Sequence, residues 1–237
     1  MDLNDGAWIG IGEDKSYSLA SLIKIPVMMV YFKQAEKDPA LLAKTIKYET
    51  KCEVLPQNVF VEEGIKFGNT YTVDELLYYM IASSDNVAMT ILMANMGQKL
   101  IGELCSNLNL LTLVTTGKES KISTGDIARL FQSIYYATYL NKDSSDKALK
   151  LLSEAKFRDG LVAGVPENVV VAHKFAERAY SPGSEKQLHD CGIVYLEKRP
   201  YLICVMTRGW NFDTLKGIIK NISKIVYNHM EQTIVTY

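Results

Sequence analysis

The feature that most constrains this chain is a change of hydrophobic period along its length. Between about Leu76 and Lys156 the apolar residues recur at helical spacing, whereas from Asn168 onward they recur at every second residue. A period near 3.6 marks helices buried on one face, and a period of two marks strands. Asn168–Lys174, Gln187–Leu196 and Tyr201–Thr207 therefore read as strands, with Glu197-Lys198-Arg199-Pro200 as a hairpin loop between the last two. An amphipathic helix follows from about Asp213 to His229, and Thr233–Tyr237 is a β-prone tail. Near the N-terminus, Asn4-Asp5-Gly6 is a turn signal leading into a short strand, Trp8–Ile11. The layout is one strand, a block of helices, then three strands and a helix. It predicts an α/β (α+β) fold in which an antiparallel sheet is flanked by helices and an all-helical region is inserted. Residues 1–16 and 166–237 form the α/β region and 17–165 the helical region of one compact unit.

Local signals divide the helical block. Thr72-Val73-Asp74-Glu75 is a capping box opening a helix through Leu76, Leu77, Met80 and Ile81, which stops at Ser83-Ser84-Asp85-Asn86. A second helix spans Val87–Met96 and closes at Gly97, and another spans Gln98–Asn107. Ser123-Thr124-Gly125-Asp126 caps a helix to about Leu140, and Ser144 caps one ending near Lys156. Glu49–Gly68 and Leu108–Lys121 read as loops.

Composition narrows the function classes. The 237 residues are 48% hydrophobic and 22% charged with a net charge of -1, so neither nucleic acid nor an anionic membrane is implied as a partner. The longest apolar run, Ile25–Phe32, is too short to span a bilayer, and no signal peptide is visible, so the residues alone leave open a cytoplasmic protein or one whose export segment has been cut away. Cys52, Cys105, Cys191 and Cys204 lack C-x-x-C spacing and read as buried thiols rather than a disulfide scaffold or a metal site. With three histidines and none of them paired at i, i+4, no metal ligation and no cofactor are expected.

The chemistry concentrates in Tyr17–Phe32, expected to lie on a helix running to about Lys37 that Asp38-Pro39 ends. Ser21 and Lys24, three residues apart in an apolar run, are neighbours on one helix face. Burial lowers a lysine pKa, and a neutral amine can take the serine proton to make a nucleophile. Pro26 is best tolerated in a first helical turn, which puts the Ser21–Lys24 turn at a helix N-terminus, where free N–H groups favour a developing oxyanion. Taken alone, the motif favours a core helix with an idle serine and lysine. Ser84-Asp85-Asn86 between two helices is also an ordinary turn sequence, and Lys174 alone reads as a strand lysine. The order of the three decides the matter: S-x-x-K, then S-D-N, then a strand lysine.

With these residues, the chain resembles the class A β-lactamase and DD-peptidase (penicillin-binding protein) superfamily of serine acyl-enzymes. The motifs are Ala20-Ser21-Leu22-Ile23-Lys24-Ile25-Pro26, Ser83-Ser84-Asp85-Asn86, Asp159-Gly160-Leu161-Val162-Ala163-Gly164-Val165-Pro166 and His173-Lys174-Phe175-Ala176. The resemblance implies that Ser21 attacks an amide carbonyl with Lys24 as proton acceptor, while Ser84 relays a proton to the leaving nitrogen. Asn86 would bind the substrate's amide carbonyl, Lys174 would offer positive charge to a substrate carboxylate, and the Ser21 and Glu177 backbone N–H groups would form the oxyanion hole. The substrate would be a β-lactam or a D-Ala-D-Ala-like peptide, the location extracytoplasmic, and a homo-oligomer is open. A strand before Asn4-Asp5-Gly6 is missing, and a displaced first strand, a partner chain or the Thr233–Tyr237 tail is expected in its place. Two departures stand out. Phe175-Ala176 replaces the family's Thr-Gly, and Leu108–Lys121 contains no E-x-x-L-N motif whose glutamate activates the deacylating water. Glu119 is the one carboxylate there, and its neighbours do not match. Slow deacylation is therefore expected, with a DD-peptidase-like protein or an impaired binder as alternatives.

Overall fold

A computed structural model describes residues 1–97, 99–110, 114–116, 119–181 and 183–232, with the side chains of 114–116 and 119 excepted. At its centre lies α1 (Lys24–Ala35), whose residues from Lys24 to Phe32 are all buried. A helix apolar on every side must be surrounded. Packed around it are α2 (Val73–Ala82), α3 (Asn86–Ala94), α4 (Leu100–Asn107) and α6 (Lys142–Ser153), with α5 (Thr124–Tyr135) against α6. The capping box forms as the sequence requires: Thr72 Oγ1 accepts the Glu75 N–H and Glu75 returns a bond to the Thr72 N–H. Asn141 rather than Ser144 caps α6, because its side chain reaches the Ser144 N–H at 2.9 Å.

The main sheet is antiparallel, in the order β6 (Val171–Ala179), β7 (Lys186–Val194), β8 (Tyr201–Gly209). Its two faces serve two cores. Ala172, Ala176, Cys191, Ile193, Leu202 and Met206 join the helical core, while Val171, Phe175, Leu188, Val194, Tyr201, Ile203 and Val205 pack toward α7 (Phe212–Gln232). The alternation follows from the strand period of two. Two smaller sheets support the helical side: β2 (Thr45–Lys47) with β3 (Thr70–Thr72), and β1 (Ser16–Ser18) with β5 (Glu119–Ser123) and β4 (Val114–Thr116).

Several expectations are corrected. Trp8–Ile11 is not a strand; Trp8, Ile9 and Ile11 are 66%, 86% and 95% exposed. Ser16–Ser18 takes the strand role instead, pairing with Lys121–Ser123 of β5. The stretch read as a loop from Leu108 to Lys121 contains the β4–β5 hairpin. Cys191 and Cys204, register partners on β7 and β8, are joined as a disulfide rather than free thiols; Cys52 and Cys105 are free. At the chain start, Met1 and Leu202 exchange two backbone hydrogen bonds of 2.9 Å and Leu3 N–H donates to Pro200 C=O. Among the described residues, the outer edge of β8 beyond Leu202 has no strand partner. The Thr233–Tyr237 tail lies outside the described residues.

Candidate active site

Ser21 sits on a 3-10 turn, Ala20–Ile23, that runs directly into α1. The turn is held from both sides: Ser18 N–H donates to Gln187 Oε1 of β7 and Leu19 N–H to Ser120 C=O of β5. Lys24 is the first residue of α1 and is fully buried, so its amine turns back onto the serine; Nζ lies 3.2 Å from Ser21 Oγ. Burial pulls its pKa down to about 7, against the opposing pull of Asp85 and Glu177.

The junction between α2 and α3 supplies the opposite wall. Ser84 is buried and takes the left-handed conformation at φ 55°, an uncommon one for a residue with a Cβ, which turns its hydroxyl and carbonyl toward Lys24. Asp85 is the N-cap of α3, accepting from Val87 N–H (2.7 Å) and Ala88 N–H (3.0 Å), and its second oxygen holds Ile65 N–H at 2.8 Å. With the junction fixed in this way, Lys24 Nζ donates to Ser84 C=O (2.5 Å), Ser84 Oγ (3.1 Å) and Asn86 Oδ1 (2.7 Å).

The third wall is the free edge of β6. Lys174 projects from the sheet face shared with Ala172 and Ala176, is fully buried, and places Nζ 2.9 Å from Ser84 Oγ. Its pKa lies well below the ordinary lysine value, first through burial and then through repulsion by Lys24. Tyr195 N–H donates to Val170 C=O, so in an antiparallel ladder the hydrogen-bonded pairs fall at residues 170, 172, 174 and 176. The N–H groups of 173, 175 and 177 then point away from β7 toward the open edge. Glu177 N–H is therefore aimed out of the sheet on the edge that packs beside the Ser21 turn.

Sequence reasoning missed four contributors from the loop before β3. Leu55 C=O accepts from Asn86 Nδ2 (3.0 Å), and Gln57 Nε2 donates to Ser84 C=O (2.7 Å). Asn58 N–H donates to the Glu177 carboxylate (2.6 Å), whose pKa is raised by burial. Phe60 packs edge-on against Phe175 and Phe157. No local pattern singles these residues out, because their neighbours in the site come from distant parts of the chain. On the Phe175 face of the sheet, His173 Nδ1 and Leu161 N–H both meet the buried Asp190 carboxylate at 2.8 Å. This ties the link after α6 to the sheet. The side chain of Glu119 lies outside the described ones. Among the described residues no group of three or more His, Cys, Asp or Glu side chains is arranged to hold a metal ion.

The geometry is a chain of proton-bearing groups, Ser21–Lys24–Ser84–Lys174, each within 3.2 Å of the next, beside a strand edge with outward N–H groups. Comparison with known proteins converges on one group. A family model described as the Beta-lactamase enzyme family matches residues 1–230. The chain is 22% identical to "Beta-lactamase VEB-1" of Pseudomonas aeruginosa over 95% of its own length and 82% of that protein. A β-lactamase structure from Chitinophaga pinensis superposes with a TM-score of 0.86 at 23% identity, over 97% of this chain and 91% of that one. PBP-A superposes with a TM-score of 0.81 at 23% identity, over 98% and 88%.

Proposed function

This chain belongs to the Beta-lactamase enzyme family, and on that footing we propose that it is a serine hydrolase that forms an acyl-enzyme on Ser21 with a β-lactam or related amide and releases it slowly. The observation that carries this reading is the position of Lys24 Nζ, 3.2 Å from Ser21 Oγ and 3.1 Å from Ser84 Oγ. In the forward step Ser21 Oγ bonds to the carbonyl carbon while its proton passes to the neutral Lys24 amine. The N–H groups of Ser21 and Glu177 receive the oxyanion, a contribution commonly worth about 3–4 kcal/mol in other hydrolases. As the C–N bond breaks, Ser84 gives its proton to the leaving nitrogen and is reprotonated from Lys24. The site returns to its starting charge. Asn86 Oδ1 fixes Lys24, and of the two Nδ2–H groups one is held by Leu55 C=O and the other is left for the substrate's carbonyl.

Slow release rests on the sequence. Leu108–Lys121 lacks the E-x-x-L-N glutamate, and a general base of that kind is typically worth about 10²–10⁴-fold. The same feature favours a second reading, a penicillin-binding DD-peptidase-like protein acylated by β-lactams. We place the site between two walls, a helical region 17–165 and an α/β region 1–16 with 166–237. We also place the protein outside the cytoplasm, in keeping with the Cys191–Cys204 disulfide. No helix among the described residues is long and apolar enough to cross a membrane.

The test is intact-mass spectrometry after incubation with a penicillin and with its methyl ester. An adduct of the full drug mass is expected, since the leaving nitrogen stays tethered. It should persist for many minutes, map to Ser21 and vanish in Ser21→Ala. An adduct that survives Ser21→Ala would place the nucleophile elsewhere, and rapid multiple turnover would show that another group activates water.

A further inference from the structure

Lys174 is the one cation the motif order assigns to an anionic substrate group, and its surroundings withhold it. Two of the three N–H bonds of an ammonium are committed, to Ser84 Oγ (2.9 Å) and to Phe175 C=O (3.1 Å). The nitrogen is buried and lies 4.5 Å from the centre of the Phe175 ring. That ring is stacked on Phe157 at 4.2 Å, and Phe60 closes over both at 5.8 and 6.3 Å. The side of the Lys174 nitrogen that meets Phe175 is thus covered by aromatic carbon.

Charge works in the same direction. Two residues on from Phe175, on the same face of β6, is Glu177, a carboxylate whose charge is felt by Lys24 and Lys174 and which accepts from the Asn58 N–H. The segment Leu55–Phe60 crosses from one wall to the other: it is anchored on Asn86 and Ser84 at its start and fastened to Glu177 and Phe175 at its end. Other cations near Glu177 have carboxylate or hydroxyl partners of their own. Lys216 pairs with Asp159 at 3.0 Å, and Lys24 is turned toward Ser84 and Asn86. A carboxylate placed here would find one Lys174 N–H left open, on a buried nitrogen set over an aromatic ring, would lose its hydration against three rings, and would face a like charge.

We propose that Phe60, Phe175 and Glu177 set the specificity of this site against carboxylates, so that its acyl donor is an amide or ester carrying no carboxylate beside the scissile group. The inference rests on the serine acyl-enzyme reading above and narrows its substrate. It makes Phe60 and the Glu177 side chain specificity-determining groups, distinct from the Glu177 N–H that faces the reacting carbonyl.

The matched probes are penicillin G and penicillin G methyl ester, which differ only in the carboxylate. The rate of adduct formation is followed by intact mass. The wild-type protein should be acylated by the ester at least about tenfold faster than by the acid, the size expected of one poorly screened like charge. Phe60→Ala and Glu177→Gln should each narrow that ratio by about threefold or more through a gain with the acid. Raising the salt should speed the acid and leave the ester unchanged, because screening acts only on the charged probe. A wild-type preference for the acid, or a ratio unmoved in both variants, overturns the inference and leaves the acyl-enzyme reading intact. No adduct from either probe, or from a neutral activated ester, overturns the acyl-enzyme reading itself and the inference with it. Phe60 is only half-buried, so its truncation is compatible with folding; a melting curve checks this, and the wild-type probe pair decides without any variant.

Discussion

In the proposed reaction Lys24 is the base, because burial lowers its pKa to about 7. A base works only in its deprotonated form, so acylation of Ser21 should rise with pH through about 7 and level off above it. The negative charge of Glu177 holds the Lys24 pKa up, so Glu177→Gln should move the midpoint to lower pH. Lys24→Ala should slow acylation by about 10²–10⁴-fold across the range. The rate of adduct formation measured between about pH 6 and 8 checks all three, and a flat profile would exclude Lys24 as the base. The residue types themselves were legible in the sequence, since Ser21 and Lys24 stand three apart in an apolar run. Gln57, Asn58 and Phe60 were not, because their partners Ser84, Glu177 and Phe175 are far away in the chain.

At the scale of elements, the α2–α3 junction depends on Asp85, which caps α3 and fastens the Ile65 backbone. Asp85→Ala should cost about 1–2 kcal/mol, or a Tm loss of roughly 2–8 °C in a domain of this size. It should also slow acylation, because Ser84 and Asn86 flank the lost cap. Thr72→Ala removes the cap at the other end of α2, about 15 Å of helix away from the junction. It should cost similar stability and leave acylation unchanged. Melting curves and adduct rates on the two variants separate local geometry from general loosening; equal kinetic damage in both would remove the special role of the junction. Caps of this kind are readable from sequence because they join residues two or three apart. Trp8–Ile11 shows the opposite case. Its β-prone residues remain unpaired, since a strand is defined by a neighbour and β1 holds the place beside β5.

For the molecule as a whole, the Cys191–Cys204 bond closes a loop across β7 and β8, in the same row of the sheet as Lys174. A loop of this length is expected to contribute up to about 3 kcal/mol, less where the hairpin already restrains the ends. Reduction should therefore lower Tm by several degrees and leave the Ser21 adduct able to form. Thiol titration of the unfolded protein should rise from two to four on reduction, and unchanged counts and melting would show the bond to be absent in solution.

The sequence by itself determined what is short-range or periodic: the switch from helices to strands, the capping box at Thr72, the Ser21–Lys24 spacing and the order of the three motifs. Only the tertiary structure decided what depends on segments distant in the chain. It joined Cys191 to Cys204, paired Ser16–Ser18 with β5, and laid Leu55–Phe60 across the cleft onto Glu177 and Phe175. It also committed two of Lys174's donors to Ser84 and Phe175 C=O and set the nitrogen over an aromatic ring. The physical reason is that periodicity and capping are set by neighbours along the chain. Burial, charge coupling and hydrogen-bond partnership depend on which surfaces the packed core brings within a few ångströms.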